Sequence, residues 1–144
     1  MLKGISPLIS PELLKVLAEM GPGDEIIFAN VHFPGSSLGP KVVRADGVRI
    51  APLLDAVLPV FELDTSAENS CVVMAAGTGG ALDQELVTEY AEVIARHNNA
   101  VLPILYVEYP EFYERAKKAY AVVMTGEKSQ YGNIILRKGI TPGA

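Results

Sequence analysis

Ser10-Pro11-Glu12-Leu13-Leu14-Lys15-Val16-Leu17-Ala18-Glu19-Met20-Gly21-Pro22-Gly23-Asp24-Glu25-Ile26-Ile27-Phe28-Ala29 joins two kinds of local order within one short stretch. Ser10 suits a helix N-cap, because its hydroxyl accepts from backbone N–H groups that have no partner within the helix. Pro11 suits the first turn, where its missing N–H costs nothing. Leu13, Leu14, Leu17 and Met20 then recur at helical spacing. Gly21 ends the helix as a residue tolerant of positive φ, and Pro22-Gly23-Asp24 is a turn. Glu25 to Ala29 is an apolar run too short for a helix, which predicts a buried strand. A helix, a tight turn and a strand in immediate succession indicate an α/β protein.

The alternation continues outward. Residues 33–40 are rich in glycine, proline and serine and read as a loop. Lys41 to Ala45 is a candidate strand closed by Asp46-Gly47. Leu53, Leu54, Val57 and Leu58 share a helical face, and Pro59 ends that helix. Cys71 to Ala76 reads as a buried strand, followed by Gly77-Thr78-Gly79-Gly80 and then Asp83 as a cap. Leu86, Tyr90, Val93 and Ile94 mark the buried face of the next helix. Val101 to Val107 is a further strand. Glu111 to Ala119 is helical, with Arg115, Lys117 and Lys118 placed late, where they favour the helix dipole. Tyr120 to Met124 and Ile134 to Leu136 are closing strands around a polar loop. The expected architecture is a single α/β domain over residues 1–144, its sheet covered by helices on both faces.

Composition narrows the function. The chain has 144 residues, of which 49% are hydrophobic and 20% charged, so a packed core is affordable and disorder is disfavoured. A net charge of −5 argues against nucleic acid and against an anionic membrane surface, since both select basic patches. No stretch approaches the ~20 apolar residues of a membrane span, and no signal peptide is expected. Cys71 is the sole cysteine, so no intrachain disulfide forms, which suits a reducing, cytoplasmic setting. It lies in an apolar run and reads as a buried structural thiol rather than a nucleophile. With only His32 and His97 available, no metal-ligand cluster is expected.

Three segments are candidates for chemistry. Gly77-Thr78-Gly79-Gly80 lies between a strand and a helix but lacks the spacing and the lysine of a phosphate loop, so a plain surface loop is the simpler reading. Tyr131-Gly132-Asn133 lies between two strands. Its glycine permits close approach of backbone to a ligand, its amide both donates and accepts, and its tyrosine offers a flat face with a polar tip. A hairpin turn uses the same residues, and chemistry alone favours the turn. Asn30 and His32 follow a strand's C-terminal end, where ligands gather in α/β sheets, and in extended chain both point to one face. A solvated loop histidine is the simpler reading of His32. Tyr106, Tyr109, Tyr113 and Tyr120 are divided between core and pocket wall in a way that periodicity does not resolve.

Several pieces in order carry a family resemblance. They are Ile5-Ser6-Pro7-Leu8-Ile9-Ser10-Pro11-Glu12-Leu13-Leu14, Phe33-Pro34, Arg44-Ala45-Asp46-Gly47, Phe112-Tyr113-Glu114-Arg115-Ala116, Thr125-Gly126-Glu127, Tyr131-Gly132-Asn133 and Lys138-Gly139. Together, from the first residue to about Pro142, the chain resembles the fucose mutarotase and ribose pyranase family, and its fucose branch most. The resemblance implies a three-layer α/β/α fold and ring-shaped homo-oligomers, commonly decamers, with sites between neighbouring subunits. It implies cofactor-free interconversion of the anomers of a monosaccharide such as L-fucose. It assigns Tyr131, Gly132 and Asn133 to sugar binding, against the hairpin reading.

The chain departs from that pattern at three polar positions. The family's proton-donor histidine lies in a Gly-His-Gly segment that is Gly21-Pro22-Gly23 here. A sugar-binding aspartate is replaced by Asn30, and an arginine three residues before the Phe-Tyr-Glu-Arg-Ala helix by Tyr109. Asn30 and Tyr109 are thus expected to bind substrate in altered form. With proline at position 22, His32 is the imidazole left to move a proton, and an unperturbed imidazole of pKa ~6.5 serves either role near neutral pH. The expectation is a mutarotase of fucose type with reduced activity. The alternatives are a non-catalytic monosaccharide-binding or sensing protein on the same scaffold, or a structural oligomer supporting a transporter or sugar kinase.

Overall fold

The computed structural model describes residues 1–76, 83–99 and 102–143. In chain order its elements are α1 (Pro11–Glu19), β1 (Glu25–Ala29), β2 (Lys41–Ala45), α2 (Ile50–Val57), β3 (Cys71–Met74), α3 (Gln84–His97), β4 (Leu105–Val107), α4 (Tyr109–Lys118), β5 (Ala121–Thr125) and β6 (Ile134–Arg137). The strands form one six-stranded sheet in the order β2-β5-β1-β6-β3-β4. β1 pairs parallel with β5, Ile27 opposite Val122, and antiparallel with β6, Ile27 opposite Ile135. The central strands are buried on both faces, which is why they read as unbroken apolar runs rather than alternating ones.

Residue parity in the strands divides the core into two layers. Ile26, Phe28, Val73 and Val123 pack against Leu13, Leu17, Leu53, Leu54 and Tyr90 of α1, α2 and α3. Ile27, Val72, Val122 and Ile135 face the other way, onto Phe112 and Ala116 of α4 and onto Phe33. The expected α/β/α layering is present, but one face carries three helices and the other one. β5 and β6 are not hairpin partners, because β1 lies between them. Residues 126–133 therefore arch over the C-terminal end of β1, and the hairpin reading of Tyr131-Gly132-Asn133 does not hold.

Local chemistry fixes the ends. Ser10 Oγ accepts from Leu13 N–H at 3.1 Å, capping α1 with Pro11 in its first turn. At the other end Lys138 Nζ donates to the carbonyls of Leu17 and Met20, at 2.7 and 2.6 Å, a cation on the negative pole of the helix. Gly139 follows where a Cβ would stand 2.6 Å from the Leu63 carbonyl oxygen. Asp83 Oδ1 caps α3 through Glu85 N–H at 2.9 Å.

Three expectations are corrected. The strand expected over Cys71–Ala76 stops at Met74. The strand expected over Val101–Val107 begins only at Leu105; Pro103 has no N–H to give a ladder, and Val101 lies outside the described residues. The fourth helix begins at Tyr109, before Glu111, because Pro110 is accommodated in a first turn. Gly77-Thr78-Gly79-Gly80 lies outside the described residues. Among those described, no helix is long and apolar enough to cross a membrane, and no group of three His, Cys, Asp or Glu side chains could hold a metal.

Cys71 is fully buried, and burial pushes its thiol up to about 12. A neutral, inaccessible thiol is not a nucleophile. Native protein at pH 8 is expected to resist iodoacetamide, and protein in denaturant to take up one equivalent, read by intact mass. Rapid native alkylation would show that this strand opens.

Candidate sugar site

The site is built where β1 ends. Asn30 is 4% exposed, and all of its hydrogen-bonding groups are engaged locally. Its backbone N–H donates to Asn133 Oδ1 at 2.7 Å. Its Nδ2 donates to the Ser129 carbonyl at 2.9 Å, and its Oδ1 accepts from His32 N–H at 3.1 Å. The chain then turns, Phe33 N–H donating to the Asn30 carbonyl at 3.2 Å. Asn30 and His32 are thus brought to one cavity by a turn and not by extended backbone.

The arch over β1 supplies the opposite wall. Thr125 Oγ1 donates to the Ala29 carbonyl at 2.7 Å, and Val31 N–H donates to the Glu127 carbonyl at 2.8 Å. Tyr131 has a φ of 59°, in the left-handed region that non-glycine residues seldom occupy. At Gly132 a Cβ would stand 2.9 Å from Leu86 Cδ2 and 3.0 Å from the Ser129 carbonyl, so no side chain fits. The Gly132 carbonyl accepts from the Tyr90 hydroxyl at 2.6 Å. Burial, then the charge of Glu127, raises the Tyr90 pKa, which keeps that phenol a donor.

These bonds settle which way the amides point. A backbone N–H must meet an oxygen, so Asn133 presents Oδ1 to Asn30 and its Nδ2 lies on the other side. That Nδ2 has no hydrogen-bond partner among the described residues, and Asn133 lines a cavity of about 220 Å³.

The remaining wall is aromatic. Tyr109 and Tyr113, one helical turn apart on α4, have ring centroids 4.4 Å apart, and Phe33 lies 5.4 Å from Tyr113. Burial, and secondarily Tyr109, raises the Tyr113 pKa, so it too stays a phenol. Met74 closes the cavity from the end of β3, and Gln130 and the exposed His32 stand at its rim. Among its described lining residues there is no lysine, arginine or carboxylate. Flat aromatic faces beside neutral amides suit the C–H face and hydroxyls of an uncharged sugar.

The structure brings Asn30, His32, Tyr109, Tyr131 and Asn133 to one cavity, with Gly132 in its supporting arch. Pro22 is not among them. It is exposed in the turn before β1, and β1 alone separates it from Asn30 by ~13 Å. Gln130 and Met74 carry no signal in the sequence, and Tyr113, one of four tyrosines that periodicity leaves between core and pocket wall, proves to be pocket wall.

Residues 3–141 match the model of the RbsD / FucU transport protein family. The chain belongs to that family. Among solved structures of this family, the fucose mutarotase from Streptococcus pneumoniae, in complex with L-fucose, is 44% identical. The match covers 98% of this chain and all of that one, with a TM-score of 0.91. FucU from Bifidobacterium longum is 41% identical over 97% of this chain and all of that one, with a TM-score of 0.92. RbsD from Bacillus subtilis, complexed with D-ribose, is 23% identical over 99% of this chain and all of that one, with a TM-score of 0.74. It shares the fold. The mixed sheet described above is the fold of the RbsD / FucU family.

Proposed function

We propose that the protein binds a free monosaccharide, L-fucose or a close relative, over the end of β1 and interconverts its anomers slowly. The observation that carries this is the Asn133 amide, which meets Asn30 N–H through Oδ1 and lines a cavity walled by Tyr109 and Tyr113. It stands in a chain 44% identical to a fucose mutarotase with L-fucose bound. Mutarotation needs only proton transfer. A base takes the anomeric O–H proton, the C1–O5 bond breaks as O5 gains a proton, and the open aldehyde recloses on its other face. Positioned acid–base help is worth ~10²–10⁴-fold. His32 is the imidazole at this rim and the group we assign to that transfer. No metal or cofactor is needed for it.

By the resemblance, the family's proton-donor histidine corresponds to Pro22, at the far end of β1 from the pocket. We infer that the pocket is completed by the turn of a neighbouring subunit in a closed homo-oligomer, a decamer by family pattern. A reducing, cytoplasmic setting fits the single buried thiol. The second reading, binding without exchange, is favoured by Pro22, which has no proton to give. NMR exchange spectroscopy over a panel including L-fucose and D-ribose separates the two, since a sensor binds without exchanging anomers. A stable monomer with full sugar affinity in sedimentation experiments would remove the shared site.

Asn133→Asp tests the pocket most directly. It keeps an oxygen for Asn30 N–H and replaces the amide donor by an acceptor. Loss of one such bond costs about 1–3 kcal/mol, so the calorimetric Kd for L-fucose should rise roughly tenfold or more; because position 133 is buried, the new carboxylate also lowers the thermal midpoint, and the titration is made where the variant is folded. An unchanged Kd would leave this segment a structural arch only.

A further inference from the structure

We infer that Glu127 is a positioning residue for the sugar site, holding Asn30 in register through Ser129. The inference rests on the sugar-site reading above. Glu127 is 2% exposed, and a buried carboxylate persists only when it is paired and hydrogen-bonded. Its Oε1 lies 3.4 Å from Ile50 N–H at the start of α2 and 3.4 Å from Arg49 Nε. Its Oε2 accepts from Ser129 Oγ at 3.0 Å and from Ser129 N–H at 3.4 Å. The carboxylate therefore ties the arch to a helix on the opposite face of the sheet, where the positive pole of α2 and the guanidinium both favour its charge.

Two routes run from Glu127 to the pocket. Through its side chain it fixes Ser129, whose carbonyl accepts from Asn30 Nδ2 at 2.9 Å and from Gly132 N–H at 3.2 Å. Through its backbone carbonyl it holds Val31 N–H at 2.8 Å. Asn30 lies between these two grips. Its amide orientation, and hence the Oδ1 that meets His32 N–H, depends on where Ser129 stands. Ser129 O would oppose a carboxylate at position 30, so the same arrangement selects asparagine there. Glu127 itself is not among the residues lining the cavity.

Glu127→Gln tests it, because the shape is kept and one face of the new amide presents N–H groups to donors. In the sugar-free protein, the Asn30 side-chain amide protons should shift and exchange with solvent about tenfold faster by ¹⁵N NMR. The calorimetric Kd for L-fucose should rise about tenfold. In an Asn30→Ala background the same substitution should leave Kd nearly unchanged, since residues acting through one another do not add. Additive losses, or undisturbed Asn30 protons, would overturn the inference and leave Glu127 a core residue only. If the glutamine variant does not fold, Ser129→Ala removes the 3.0 Å contact alone and should move both readouts the same way. Should the parent bind no sugar, the functional reading fails, and the Asn30 resonances alone still decide for or against Glu127.

Discussion

Phe112→Ala is expected to lower stability by about 3–5 kcal/mol, the range for truncating a buried aromatic side chain, and to remove sugar binding with it. Phe112 is fully buried, and it and Ala116 are the buried residues of α4. They seat that helix on Ile27, Val72 and Ile135, with Tyr113 packed beside them and Arg115 paired to Glu25 of β1. On the other face three helices share the load, so a single truncation there leaves more support. Phe112 also meets the edge of Phe33 at 6.1 Å, linking α4 to the turn that carries His32. Tyr109 and Tyr113 flank it on the same helix, so the aromatic wall shifts with α4. Urea unfolding of the parent and variant, with L-fucose titrations at a temperature where the variant is folded, reads both effects. A loss under ~1 kcal/mol with unchanged affinity would mean that something other than this side chain holds α4 in place.

That dependence was only partly legible in the sequence. Ser10-Pro11 and the run Ile26-Ile27-Phe28-Ala29 declare a cap and a two-faced strand because the forces involved are local. The start of α4 at Tyr109 is not legible in the sequence, because the helical spacing of Phe112, Tyr113 and Ala116 begins only after Pro110, which a first turn accepts. Strand order is another matter. Nothing near residues 121–137 says that β1 will lie between β5 and β6, yet that insertion is what turns Tyr131-Gly132-Asn133 from a hairpin into an arch over Asn30. Asn30 and His32 were paired for the wrong reason, by strand parity, while a turn closed by Phe33 N–H does the work. Glu127 was recognisable only as part of a family-like triplet. Its burial depends on Arg49 and Ile50, far away in sequence, and a carboxylate beside a lysine and a serine ordinarily reads as surface.

Pro22→His is expected to raise L-fucose anomer exchange by about 10²–10⁴-fold, the span of one well-placed general acid. The turn is built to tolerate it. Pro22 is exposed, followed by Gly23 at a φ of 89°, and the turn is closed by Asp24 N–H to the Gly21 carbonyl at 3.0 Å. Asp24 Oδ2 accepts from Gly21 N–H at 2.8 Å, and Gly23 N–H reaches the Lys138 carbonyl at 2.8 Å. The position before a positive-φ glycine suits proline but does not require it. Losing its stiffness costs only about 0.4–1 kcal/mol, acting through the unfolded chain. The added imidazole lies at the far end of β1 from Asn30, so in the proposed closed oligomer its effect falls in a neighbouring subunit's pocket. A double variant, Pro22→His with Asn133→Asp, carries the acid but a weakened pocket. Co-refolded with the parent chain, it should give more exchange than either alone. His32→Gln in the parent should remove the residual exchange and leave binding nearly unchanged, because His32 meets Asn30 through its backbone N–H. If Pro22→His binds L-fucose as the parent does and exchanges it no faster, the proton reaches the ring oxygen by another path. Position 22 then has no part in this protein's chemistry.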